Sequence, residues 1–312
     1  MKKLYFIFLL LLSITSSAQL VKFVNPFIGT GGHGHTFPGA TAPFGFCQLS
    51  PDTRIDGSWD GCGGYHYSDS VIYGFSHTHL SGTGVSDYGD ILLMPVTKEM
   101  RLNDYQYKST FSHKNEKAEA GYYQVFLNNP KVNVELTTSR HCGFHKYTFP
   151  NNTETYVVLD LKHRDEVLDS KMEQIDAYTI RGYRFSKAWA TNQKIFFEIK
   201  FAQEIDNILY EPNDDKSQTA NIDISKCQHA LIKLKKGFSK PVNPAPYQIV
   251  NVKVGISGVD EAGAHNNLEK VIPHWDFEKT KKEVQDEWEK ELGKITVNGV
   301  EKGVDEKEKK II

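Results

Sequence analysis

An alternation of apolar and polar residues recurs between residues 121 and 256, and it limits the possible folds more than any other feature. Val132, Val134 and Leu136 alternate with Asn133, Glu135 and Thr137. Ile195, Phe197, Ile199 and Phe201 share one face of 194–201, and Val250, Val252, Val254 and Ile256 share one face of 247–256. Successive side chains of a strand point to opposite faces, so a period of two marks a strand with one side on a core. The segments 122–127, 143–149, 156–161, 178–185 and 229–234 add further runs of β character. With no long helix between them, the spacing predicts a mainly β fold built of antiparallel sheets packed face to face, an antiparallel β-sandwich. The 312 residues, 39% of them hydrophobic, are enough for a sizeable core.

The first third has a different texture. Residues 21–90 are broken by Asn25-Pro26, Phe37-Pro38-Gly39, Ala42-Pro43 and Ser50-Pro51-Asp52, all turn signals. Short apolar pieces at 44–49 and 91–94 are candidate strands between them. Most telling is 77–90, His-Thr-His-Leu-Ser-Gly-Thr-Gly-Val-Ser-Asp-Tyr-Gly-Asp, which has no apolar period. Gly29–His35 and Trp59–Tyr67 share its mixture of glycine, histidine, aspartate and aromatics. A glycine-laced backbone carrying such side chains suits a polar pocket better than a core.

After Ile256 the period lengthens. Ser257, followed three residues later by Asp260, resembles a helix start. A helix is expected over 260–271, ending near Pro273, and a second over 276–292 with Phe277, Val284, Trp288 and Leu292 on one stripe. A short strand at 294–300 and a charged, featureless 303–310 complete the chain. At the other end, Lys2-Lys3, an apolar run from Leu4 to Ile14 and Ser16-Ser17-Ala18 have the form of a secretory signal over 1–18. That run is too short for a spanning helix, which needs about 20 residues. The mature chain is therefore expected outside the cytoplasm, periplasmic or secreted, without a membrane span. A net charge of −2 implies no nucleic-acid partner. Four cysteines allow three complete pairings, and none are spaced as a thiolate zinc site.

Three chemistries compete for the loops. His77 and His79, two residues apart, could share a metal ion on an extended backbone, although no established zinc spacing is present. Trp59-Asp60, Tyr65-His66-Tyr67-Ser68-Asp69 and Asp87-Tyr88 set flat aromatics beside carboxylates, as a sugar ring with its apolar face and hydroxyl rim requires. Asp60, Asp87 and Asp90 could supply a carboxylate pair for glycoside hydrolysis. Each also has a plainer use, in bracing loops or capping turns.

The same residues carry a resemblance. The stretch from Val24 to Ala40, reading VNPFIGTGGHGHTFPGA, resembles the opening of glycoside hydrolase family 92, exported α-mannosidases. Gly64–Asp69, Gly74–Gly84 and Asp87–Ile91 are similar to its next blocks, in order, and the likeness runs to about Leu292. It implies a galactose-mutarotase-like supersandwich as the N-terminal domain over 19–256, then a short α-helical linker over 257–312 leading to a C-terminal (α/α)6 barrel. It also implies a calcium-dependent, inverting α-1,2-mannosidase active in N-glycan processing, with its active site between the two domains. The barrel would supply the acid, the base and most of the calcium shell. Because the chain stops at Ile312, the resemblance predicts that barrel to be absent here, or present in trans, and no calcium to be fully coordinated by this chain. What carries over is a substrate wall. Trp59 and Asp60 would face the mannose, and Gly61, Cys62 and Gly63 would shape the rim. His77, His79, Ser81 and Asp87 would line the pocket or hold its loops. No catalytic residue is assigned. The expected function is the N-terminal part of an α-mannosidase, inactive without its barrel. The alternatives are a stand-alone glycan-binding module and a small complete hydrolase using Asp60, Asp87 or Asp90.

Overall fold

The structure, a computed structural model, describes residues 20–211, 227–236 and 247–295. The leader over 1–18, the charged 303–310 and most of the strand expected over 294–300 lie outside these residues. Two antiparallel sheets form a sandwich. One has seven strands, in the order β1 (Ala40–Thr41), β2 (Gln48–Asp52), β4 (Gly74–Ser76), β5 (Leu92–Val96), β11 (Thr155–Asp160), β16 (His229–Leu234) and β15 (Ile205–Glu211). The other has eight, in the order β12 (Glu166–Gln174), β13 (Thr179–Lys187), β14 (Gln193–Phe201), β17 (Tyr247–Ser257), β10 (Cys142–Pro150), β9 (Val132–Thr138), β8 (Tyr122–Leu127) and β7 (Glu116–Glu119). A minor pair, β3 (Val71–Ile72) and β6 (Ser109–Thr110), lies apart.

The alternating runs form the strands expected of them. In β9, Val132, Val134 and Leu136 are fully buried, while Asn133 and Glu135 are not. β5 and β11 have no alternation because every residue of each is buried. Their faces are covered on both sides, which is why they appear as continuous apolar runs. One core holds the side chains of both sheets, from Leu49 and Phe75 to Phe197 and Val254.

Two helices, α1 (Glu261–Val271) and α2 (Phe277–Leu292), follow β17. Both expected helices form, but the first starts differently. Ser257 is the last residue of β17, and Asp260 is the cap, its carboxylate accepting from Gly263 N at 2.6 Å. Asp276 caps α2 in the same way, accepting from Lys279 N at 3.0 Å. The helices lie on the outer face of the eight-stranded sheet. Leu268, Ile272 and Phe277 join Tyr122, Cys142 and Phe144 there in a second apolar cluster. Fully burying one such side chain contributes about 1.5–3 kcal/mol, so the cluster secures the helices as part of the fold. Trp288 Nε1 donates to Thr41 O at 2.7 Å, and Glu289 accepts from the N–H groups of Leu20 and Val21. Among the described residues no helix is long and apolar enough to cross a membrane.

The apolar piece expected as a strand at 44–49 is mostly loop, and only Gln48 and Leu49 belong to β2. Phe44 has a left-handed backbone and is 90% exposed, so its apolar side chain marks no buried strand.

Gly255 sits where α1 crosses β17. A Cβ there would lie 2.5 Å from Ala264 O and 2.9 Å from Leu268 Cβ. Gly255→Ala is expected to lift the helix and cost about 1–3 kcal/mol, read as a lowered urea midpoint with unchanged slope.

Candidate functional site

The loops leaving the seven-stranded sheet near β2, β4, β5 and β11 converge, and they carry nearly every residue singled out above. Trp59 is 57% exposed. Its ring packs edge-on against His35, centroids 4.3 Å apart, and beside His33 at 5.0 Å. His33 Nδ1 donates to Asp60 Oδ1 at 2.6 Å. That hydrogen bond, with the neighbouring histidines, holds the Asp60 carboxyl below the usual carboxylate range. Gly84 closes the group from the other side. Its φ is +74°, and a Cβ there would fall 2.5 Å from Trp59 Nε1. Only glycine allows that backbone to pass so near the indole. Trp59 and Asp60 thus form a solvent-facing pair fixed by its neighbours.

Gly61, Cys62 and Gly63 are buried directly beneath. The Arg164 guanidinium donates from Nη2 to Cys62 O at 2.5 Å and to Ser86 Oγ at 2.7 Å, joining the Trp59 loop to the Gly82–Ser86 turn. Burial raises the Cys62 thiol above its ordinary value and pushes Cys47 up to about 12, so neither is a nucleophile. Ser81 is exposed on the same rim, next to Gly82, whose N–H donates to His35 O at 2.7 Å.

For His77, His79 and Asp87 the expectation left two roles, lining the pocket or holding its loops. All three are buried and turned to protein partners. His77 Nδ1 donates to Ile91 O at 2.6 Å, so its Nε2 must accept, and does so from His145 Nε2 at 3.0 Å. The His145 Nδ1 left over accepts from the Tyr147 hydroxyl at 2.9 Å. One tautomer of each ring satisfies the whole chain, with both histidines neutral. Burial lowers His77 to about 4 and His145 well below the ordinary value. His79 faces Gln48 O at 2.8 Å and Asp52 Oδ1 at 3.2 Å. The two rings therefore have separate partners, and the shared metal considered from their spacing has no lone pairs to use. Asp87 accepts from Tyr88 N at 3.0 Å and from Ala190 N at 2.8 Å, which ties the β13–β14 hairpin to the loop.

Behind the rim lie buried charges. Asp52 receives Ser76 Oγ at 2.5 Å and has His79, His163 and Arg164 within 3.8 Å. Burial alone would raise its pKa, but His79 and His163 outweigh that and hold it well below the carboxylate range. Asp90 is paired at 2.5 Å with Arg184, which is wholly buried and also donates to Leu161 O at 2.8 Å and His163 O at 2.7 Å. With Asp87 and Asp90 enclosed, Asp60 is the one solvent-facing carboxylate of the three weighed for hydrolysis. Calcium takes 6–8 oxygen ligands. Among the described residues the one cluster of acidic and histidine side chains close enough to hold an ion is Glu198, His265 and Glu269, outside these loops, so the loops alone do not complete a calcium shell.

The profile of the Glycosyl hydrolase family 92 N-terminal domain matches residues 23–257. The chain belongs to glycoside hydrolase family 92. The profile of the family 92 catalytic domain matches residues 263–312, which take in α2 and all but the first two residues of α1. A family 92 α-mannosidase from Bacteroides thetaiotaomicron, solved alone and with mannoimidazole, is 32% identical, with a TM-score of 0.79 over 90% of this chain and 38% of its own. An inverting mannosidase of family 92 from the same organism shares the fold at 22% identity, with a TM-score of 0.75 over 91% of this chain and 37% of its own. A protein of Arthroderma benhamiae named an uncharacterized secreted glycosidase is 29% identical over 89% of this chain and 39% of its own length. The family 92 chain thus spans about two fifths of these relatives.

The sequence also held a signal that was passed over. Asp160-Leu161-Lys162-His163-Arg164-Asp165 follows an apolar strand directly, as 77–90 precedes one, and it supplies Arg164 and His163. Arg184 shares a face of β13 with Ile180 and Gly182, an inward charge in a strand.

Two measurements test this bracing. Asp90→Asn leaves the Arg184 charge buried and is expected to cost about 3–5 kcal/mol in chemical denaturation. The His77 pKa of about 4 lies below its ordinary 6.5. Its contribution is therefore complete above 6.5 and lost as pH falls through 4. About 3 kcal/mol should disappear over that window, with the His77 ring resonances not titrating above pH 5.

Proposed function

We propose that the chain forms the sugar-facing wall of an exported α-mannosidase, with Trp59 stacking on the terminal mannose and Asp60 accepting from its hydroxyls. The observation that carries this reading is the exposed Trp59–Asp60 pair, immobilised by His33, His35 and Gly84. A flat apolar face beside a fixed acceptor is the chemistry a sugar ring recognises. The family, and the mannoimidazole complex of a 32% identical relative, make mannose the sugar to expect. Ser81 completes the rim, Gly61, Cys62 and Gly63 shape it from beneath, and His77, His79 and Asp87 act through the loops they hold.

Cleavage with inversion needs an acid and a base roughly 6.5–9.5 Å apart across the bond. Of the carboxylates weighed here, Asp60 alone faces solvent, which counts against a complete small hydrolase. The other groups, and the calcium shell of the whole enzyme, would come from the (α/α)6 catalytic domain, in cis or trans. A second reading, a glycan-binding module acting alone, draws on the same observation, since a preformed aromatic and acceptor suffice for binding. The secretory form of 1–18 and the secreted glycosidase among the relatives support export.

The 312-residue chain, assayed with calcium on α-1,2-mannobiose, is expected to bind without hydrolysing it. Trp59→Ala should weaken binding at least tenfold without lowering the melting temperature. Turnover that disappears in Asp60→Asn would overturn the reading in favour of a complete hydrolase.

A further inference from the structure

A separate cleft of about 950 Å³ opens beside the loop that follows β11. It shares a wall with the Trp59 rim. Arg164, which holds Cys62 and Ser86 on the rim side, is among the cleft's lining residues. Two features set it apart from a surface hollow. First, nearly buried polar atoms in its lining lack partners among the described residues. His229 engages Asp160 through Nε2 at 3.3 Å, but its Nδ1 has no hydrogen bond, although the side chain is only 5% exposed. Arg164 Nη1, on a side chain 3% exposed, also has none, although it is turned away from the cleft toward Gly64 and Asp52, the latter at 3.8 Å. A buried group left unpaired is costly, and a ligand hydroxyl in the cleft would give His229 Nδ1 a partner. Second, the backbone is strained here. Asp104, Tyr105 and Arg164 all line the cleft with φ between +54° and +67°. For residues other than glycine such conformations cluster at binding sites.

The lining chemistry selects the ligand class. It carries three arginine or lysine side chains against four carboxylates, so it has no cationic surplus for a phosphate or sulfate. Charged donors and acceptors are interspersed, as a polyol with both roles on every hydroxyl demands. Tyr105 supplies a flat wall. Edge contacts from Tyr73, Tyr107 and His163, with centroids 5.1–5.8 Å away, hold its ring in place. Asp165 adds a donor. Burial, joined by Asp90 and Asp87 and opposed by Arg184 and Arg164, pushes it up to about 7, so near neutrality part of the population carries a hydroxyl proton. The volume falls in the range of small-ligand pockets, about 300–1,000 Å³.

We propose that this cleft is a second carbohydrate site, taking a neutral inner or branch sugar of a glycan whose terminal residue lies against Trp59. The inference rests on the reading of the Trp59 rim as a sugar wall, and the two fail separately in one experiment. The 312-residue chain is titrated calorimetrically with α-1,2-mannobiose and with a mannose-rich N-glycan, beside Trp59→Ala and the double variant Arg101→Ala/Lys162→Ala. Both replaced cations are exposed at the cleft mouth, so the fold should survive, and matching melting temperatures check it. The double variant is expected to bind the N-glycan at least fivefold more weakly while keeping its affinity for mannobiose, and the His229 ring resonances should shift with the N-glycan alone. Unchanged N-glycan affinity in the double variant, with a still His229 ring, overturns the inference and leaves the rim reading intact. N-glycan binding lost in the double variant but indifferent to Trp59→Ala supports the cleft and sinks the rim. Absence of binding by every chain overturns the cleft site.

Discussion

Everything at the candidate site hangs from one buried cation. Arg184 stands on β13 in the eight-stranded sheet, but its guanidinium serves the other sheet's connections. It pairs with Asp90 just before β5 and takes the carbonyls of Leu161 and His163 just after β11. A guanidinium with no water must be satisfied in a planar fork, so it dictates where these two chain segments lie. Those segments lead to Gly84, which lies against Trp59, and to Arg164, which holds Cys62. The sandwich core accounts for the stability of the molecule, whereas this cation and its partners account for the shape of one end of it.

The division of labour among histidines follows from that arrangement. His33, on the surface, steers the Asp60 carboxylate. His77, His79 and His145 are too deep to meet a ligand and fix loop crossings instead. In a family of carbohydrate-cleaving enzymes a histidine-rich loop invites a catalytic assignment, yet the geometry uses His77 with His145 as uncharged connectors and turns His79 to Gln48 and Asp52. Among the buried polar atoms without a partner, His229 Nδ1 belongs to a residue that lines a cleft.

The strands that alternate cleanly were legible because one of their faces meets a core. β8 and β16 have the bounds expected from sequence, and β9, β10, β13, β14 and β17 lie within a few residues of theirs. Besides the short β4 and the minor β3–β6 pair, the strands that escaped notice are edges: β7 and β12 at the two sides of the eight-stranded sheet, and β1 and β15 at the two sides of the other. Edge strands carry charge and shed apolar periodicity to avoid pairing with other chains, so β12, Glu-Val-Leu-Asp-Ser-Lys-Met-Glu-Gln, has no period to find. At the site, the polar character of the loops followed from composition, and the choice of Trp59 and Asp60 from the family resemblance. Which polar residues face outward did not, because His77 and His33 are the same letter. Burial depends on partners far along the chain, such as His145 and Ile91.

The Tyr147–His145–His77–Ile91 chain has a direction. A carbonyl oxygen cannot release a proton and the phenol at the other end has no exchangeable neighbour in this chain but His145, so the rings cannot all swap roles together. Proton wires conduct by such swapping. This one is anchored at an end that only receives, and so it behaves as a latch across the sandwich, closing the loop before β5 onto β10 with no charge for a passing substrate to feel.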